Sequence, residues 1–109
     1  VHENFLNIVA SSPVDTMDQS GTTVSIVYLT HDFVVVSSVG DSRTIMSTMS
    51  SPKKVHSIQL TKDHVASDIE EKKQVESRGG FVSAKGGTHR VNGTLAITRS
   101  IGDAALSPV

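Results

Sequence analysis

Apolar residues fall in short runs along this chain, and their spacing changes from segment to segment. Val1 to Ala10 places Phe5, Leu6, Ile8 and Val9 in a partial helical pattern that stops at Ser11-Ser12-Pro13. Ser11 to Gly21 is polar and turn-rich and is read as a connecting loop. Thr22 to Leu29 (T-T-V-S-I-V-Y-L) is β-branched and apolar on both faces, which predicts a strand. Phe33 to Val39 predicts a second, with Ser42 to Met46 as its continuation. The short break Thr30-His31-Asp32 makes the pair an antiparallel hairpin.

Ser47 to Lys54, with its serines, proline and two lysines, reads as a loop, and Val55 to Leu60 as a third strand. Ser67 and Glu70 fit a capping box, predicting a helix that runs to about Arg78 and ends at Gly79-Gly80. Phe81 to Ala84 is a short strand candidate, followed by a glycine-containing turn at Lys85 to Thr88. The runs on either side of Asn92-Gly93 predict a tight hairpin. Hairpins mixed with helices and no internal repeat give an α+β pattern.

Composition narrows the chemistry. The 109 residues suit one small domain or a piece of a larger one, and the chain begins at Val1, which fits a processed chain or a fragment. With no cysteine, disulfides, thiolate metal sites and cysteine nucleophiles are excluded. Ten basic against 11 acidic residues argue against broad binding to nucleic acid or an anionic membrane. No apolar run is long enough to span a bilayer, and no secretory leader is visible at the start.

Charged residues at the ends of apolar runs are the candidate functional groups, because burying them unpaired is costly. Asp41, after Gly40, could ligate Mg²⁺ or Mn²⁺, which prefer oxygen. Equally, it could be a turn aspartate bonded near Ser42 and paired with Arg43. Arg90 and Arg99 could grip a phosphate in two-pronged fashion; the structural alternative pairs them with carboxylates such as Asp103 or Asp63. His31, His56, His64 and His89 lack ligand spacing, and His64 beside Asp63 is read as a turn or capping residue. Lys72-Lys73 opposite Glu70-Glu71 reads as a solvated helix face. Ser20-Gly21-Thr22-Thr23 resembles a phosphate-cradling loop but lacks a Walker lysine.

Taken in order, five segments resemble the metal-dependent protein serine/threonine phosphatases of type 2C. They are Ser20-Gly21-Thr22-Thr23, Val39-Gly40-Asp41-Ser42-Arg43, Leu60-Thr61-Lys62-Asp63-His64, Gly79-Gly80-Phe81-Val82 behind a helix containing Glu71, and Arg90 to Asp103. The resemblance implies part of a four-layer α-β-β-α antiparallel sandwich, with residues 1–109 its central part and a flap at about 63–88. It implies hydrolysis of phosphoserine and phosphothreonine in proteins by attack of metal-bound water, with Mg²⁺ or Mn²⁺ as cofactor. Asp41 matches a family aspartate associated with an additional, more weakly held metal. The family's Asp-Gly-His-Gly, Asp-Gly and Asp-Asn metal segments do not occur here, so this stretch is expected to be inactive alone and contributes no catalytic residue. Val65-Ala66 stands where Lys-Pro is usual, and Gln74 where an arginine is usual. Phosphoprotein substrates, a monomeric complete protein and an intracellular, cytoplasmic setting are the matching expectations, with nucleus and mitochondrion open. The rival reading is a non-catalytic phosphatase-like domain that binds a partner through the flap.

Overall fold

The computed structural model describes residues 2–11 and 20–104. Most of the expected loop between Ser11 and Gly21 lies outside the described residues. Helix α1 (His2–Ala10) forms where the helical spacing predicts it and closes with the Ser11 hydroxyl donating to the Ile8 carbonyl at 2.9 Å.

Strands β1 (Gly21–Thr22), β2 (Val24–Leu29) and β3 (Val34–Val39) follow. β2 and β3 pair antiparallel from Val24 opposite Val39 to Leu29 opposite Val34. Thr30 organises the turn between them. Its hydroxyl oxygen accepts from the Phe33 N–H at 3.0 Å, and its own N–H donates to the Phe33 carbonyl at 2.9 Å. The expected continuation of β3 through Ser42 does not form. The chain breaks at Gly40, which has φ +92°, and a Cβ there would collide with Thr23.

A new hairpin starts instead, β4 (Ile45–Ser51) and β5 (Lys54–Gln59). The loop expected over Ser47 to Lys54 is therefore strand, apart from the two-residue turn at Pro52 and Lys53. Serine and threonine mimic loop composition, yet here they occupy exposed strand positions, and Ser47 and Ser57 hydrogen-bond across the pair at 3.1 Å. Proline, which cannot donate to a ladder, sits at the turn.

Helix α2 (Ile69–Ser77) is capped by Asp68, not Ser67: the Asp68 carboxylate accepts from the N–H groups of Glu70 and Glu71. Both residue types cap well, and the backbone turns one residue later than expected. The glycine stop holds. Gly79 and Gly80 donate to the carbonyls of Glu76 and Val75, both at 3.1 Å, the pairing expected when a left-handed glycine ends a helix. Strands β6 (Val82–Lys85) and β7 (Thr88–Val91) then pair through a Gly86-Gly87 turn. The Asn92-Gly93 turn follows, with positive φ at both residues, but the tight hairpin expected around it reduces to a single isolated bridge between Val91 and Leu95, because β7 pairs with β6 instead. Last comes β8 (Ile101–Gly102), which pairs with β1.

The described strands thus form four two-stranded antiparallel sheets, in keeping with the α+β expectation. Ala66, Val75 and Val91 form the buried core, with Val82 packed on it. The β2–β3 hairpin keeps Ile26, Tyr28 and Leu29 well exposed, Leu29 at 72%. An isolated hairpin is marginal in water, and contiguous exposed apolar faces of this kind are characteristic of contact surfaces. No helix among the described residues is long and apolar enough to cross a membrane.

Candidate functional site

The turn that carries Asp41 is fastened on three sides. Gly40 donates its N–H to the His64 Nδ1 at 3.1 Å, and His64 returns its own N–H to the Gly40 carbonyl at 3.0 Å. Because a backbone N–H can only donate, the His64 Nδ1 is the acceptor in this bond. Ser42 and Thr23 share a hydroxyl–hydroxyl bond of 2.7 Å. Arg43 grips Asp63 in two-pronged fashion, its Nε donating to Oδ1 at 3.1 Å and its NH2 to Oδ2. That hydrogen bond holds the Asp63 carboxyl below the usual carboxylate range.

Asp41 itself is exposed, and its carboxylate makes no hydrogen bond or ion pair among the described residues. The structural alternative gave it Arg43 as partner, whereas Arg43 is turned away toward Asp63.

His64 belongs to a segment that lies alongside residues 96–98. Thr98 donates its N–H to the His64 carbonyl at 2.9 Å, Ala66 donates to the Ala96 carbonyl at 2.8 Å, and Val65 bridges to Ile97. Ala66 occupies a position where the resembling family carries proline; it uses the N–H that proline lacks and is 1% exposed.

Glu71 is the hub on the other side. It is buried on the same face of α2 as Val75, four residues on. Its carboxylate accepts from Thr98 Oγ1 at 2.7 Å, from Arg99 Nε at 2.9 Å and from Arg99 NH2 at 2.7 Å. Burial pushes the Glu71 carboxyl up, but these hydrogen bonds and the Arg99 charge outweigh it and the pKa falls below its ordinary value. Arg99 therefore pairs with neither Asp103 nor Asp63. The solvated-face reading holds for the pairs Lys73–Glu70 and Lys72–Glu76 but fails for Glu71. The sequence signal was available: a carboxylate one turn before an apolar helix position needs a cation. Arg90 donates to the Thr94 carbonyl at 2.6 Å and so braces the Asn92-Gly93 turn, not an acid. Gln74 is exposed on α2.

A second carboxylate stands in a comparable place. Asp103 follows Gly102 (φ +96°) and itself adopts φ +51°, rare for a residue with a side chain. Its N–H donates to the Ser20 carbonyl at 2.9 Å. Its carboxylate lies so close over Gly21 that a Cβ there would collide with it, and it makes no hydrogen bond or ion pair among the described residues. Within Ser20–Thr23, Gly21–Thr22 is accordingly a strand paired with β8, and the segment is not a phosphate loop at a helix start. The sequence offers Asp103 as an arginine partner and, with Asp41, as one of the acidic groups that two strand ends bring toward a common edge suited to metal and phosphate chemistry; the arginine pairing does not form.

The Gly40-Asp41 and Gly102-Asp103 ends both close on residues 20–23, through Thr23 to Ser42 and through Gly21 opposite Gly102. Two exposed or half-exposed carboxylates without protein partners are oxygen donors of the kind hard divalent cations take. Among the described residues, no group of three or more His, Cys, Asp or Glu is gathered that could hold a metal ion.

Residues 2–109 match the family model described as Protein phosphatase 2C. The chain is 38% identical over 86 residues to Protein phosphatase 1L of Bos taurus, covering 79% of this chain and 22% of that protein. It is 36% identical over 89 residues to Probable protein phosphatase 2C 11 of Arabidopsis thaliana, covering 82% of this chain and 22% of that one. It is 37% identical over 91 residues to Probable protein phosphatase 2C 45 of Oryza sativa subsp. japonica, covering 84% and 30%. The chain thus spans between about a fifth and a third of the length of these relatives.

Proposed function

The chain belongs to the protein phosphatase 2C family, and from that premise we propose that the protein carrying it hydrolyses phosphoserine and phosphothreonine esters in other proteins with Mg²⁺ or Mn²⁺. Residues 1–109 are the central part of the phosphatase domain, and the layers that cover the exposed β2–β3 and β4–β5 faces complete a four-layer sandwich. Residues from about 63 to 88, around α2, form a flap beside the site where the phosphoprotein docks.

The observation that carries this reading is the Asp41 carboxylate, without a partner among the described residues on a turn pinned by His64, Ser42 and Arg43. Fixing the backbone around an acid while leaving the acid free suits a ligand position better than a structural one. Asp41 would hold a weakly bound metal, and Asp103, whose strand end also closes on residues 20–23, would offer a second oxygen donor. A bound Mg²⁺ or Mn²⁺ supplies water acidic enough to attack a phosphate ester near neutral pH, so no protein nucleophile is required. This chain's own share is to present carboxylate oxygens and to brace them. The complete protein acts as a cytoplasmic monomer on phosphoprotein substrates.

The test is hydrolysis of a phosphothreonine peptide by the full-length protein. Release of phosphate with Mn²⁺, lost with EDTA and restored by added Mn²⁺, supports the reading. A full-length protein that binds a partner through α2 but releases no phosphate under any divalent cation refutes it.

A further inference from the structure

We propose that His64 is a positioning residue for Asp41, setting the pose of a metal-directed carboxylate it does not touch. The inference rests on the reading of Asp41 as a metal ligand. Gly40 is buried, and its N–H and carbonyl are both spent on His64, the N–H on the ring nitrogen and the carbonyl on the backbone N–H. A reciprocal pair of this kind fixes both peptide planes of Gly40, the ring bond holding the Val39–Gly40 plane and the backbone bond the Gly40–Asp41 plane that leads into Asp41. The partner is itself immobilised, because the His64 carbonyl accepts from Thr98, and the Thr98 hydroxyl is held by the buried Glu71. The Asp41 turn is therefore referenced through His64 to helix α2. Gly40 cannot be exchanged for a more rigid residue, since its φ is +92° and a Cβ would meet Thr23. Rigidity at Gly40 must come from its partners, and His64 is the one that holds the Gly40 backbone itself.

The ring nitrogen is the decisive atom, which makes the idea testable with polar substitutions. Asparagine places its Oδ1 close to where His64 Nδ1 lies, whereas glutamine carries its oxygen one bond farther, nearer the position of Nε2. Mn²⁺ binding by the full-length protein is titrated calorimetrically for wild type, His64→Asn, His64→Gln, Asp41→Asn and the Asp41→Asn/His64→Gln double variant. Melting temperatures are recorded in parallel. The weaker class of Mn²⁺ sites should lose about tenfold in affinity in His64→Gln and stay near wild type in His64→Asn. The double variant should bind no more weakly than Asp41→Asn alone, because both changes act through one carboxylate. His64→Ala, which removes the acceptor without adding bulk, takes the place of His64→Gln if that variant does not fold. If Asp41→Asn weakens Mn²⁺ binding but His64→Gln leaves it unchanged, or adds fully to Asp41→Asn, the positioning role is wrong and the metal reading survives. If Asp41→Asn itself leaves Mn²⁺ binding unchanged, the metal reading fails and the positioning role falls with it.

Discussion

Arg99 closes on Glu71 across 28 positions of sequence with two hydrogen bonds of 2.9 and 2.7 Å, joining the segment before β8 to helix α2. The two partners are not equally committed. The Glu71 side chain is 5% exposed and that of Arg99 46%, so losing the arginine strands a buried anion while losing the acid leaves a cation water can reach. In the full-length protein Arg99→Met should cost about 3 kcal/mol and Glu71→Gln about 1 kcal/mol. Urea unfolding of the two variants checks this, and the reverse order would show that the pair is not the anchor described.

The same pair gives stability an acid limb. Glu71 has a folded pKa below its unfolded value, so its contribution is complete above the unfolded pKa of about 4.3 and disappears as pH falls through the lower folded value. The stability gap between wild type and Glu71→Gln should be widest near neutral pH and shrink below about pH 4. A gap that grows on acidification would place the folded pKa on the wrong side.

Gly21 sits in β1 under the Asp103 carboxylate, and the atoms a Cβ there would meet first are those of that carboxylate. The Asp103 side chain can swing aside, so Gly21→Ala should lower the melting temperature by less than about 5 °C while weakening Mn²⁺ binding by the full-length protein. A large melting loss with unchanged Mn²⁺ binding would make Gly21 a packing residue and nothing more.

The isolated 109-residue chain should be poorly folded and inactive. The buried core consists of Ala66, Val75 and Val91, and the radius of gyration is 17.5 Å against about 13 Å for a compact domain of ~100 residues. Exposed apolar hairpins of this kind associate. Amide NMR dispersion and a cooperative melt in a monodisperse monomer, or EDTA-sensitive hydrolysis of a phosphopeptide by this chain alone, would contradict the expectation.

What the sequence disclosed and what it hid follow from the range of the forces involved. The β2–β3 hairpin, the glycine stop of α2 and the Asn92-Gly93 turn rest on neighbouring residues, and all three were legible. The N-cap was misplaced by one because Ser67 and Asp68 carry equally good capping oxygens. Strand β4 was hidden because Ser47, Thr48 and Ser50 have the composition of a loop while filling exposed ladder positions. The ion pairs were misassigned for a different reason. Arg43 and Arg99 each had several carboxylates available, and only the folded chain decides that Asp63 and Glu71 are the ones within reach. The left-handed backbone of Asp103 stayed hidden because positive φ leaves little trace in a residue that is not glycine.

The most direct test of the central claim compares wild-type full-length protein with Asp41→Ala, following phosphothreonine peptide hydrolysis against Mn²⁺ concentration alongside thermal melting. Asp41 as a metal-directed carboxylate predicts a turnover curve shifted to higher Mn²⁺ with a nearly unchanged melting temperature, since the acid holds no protein group in place. A lowered melting temperature with an unshifted Mn²⁺ curve would contradict it.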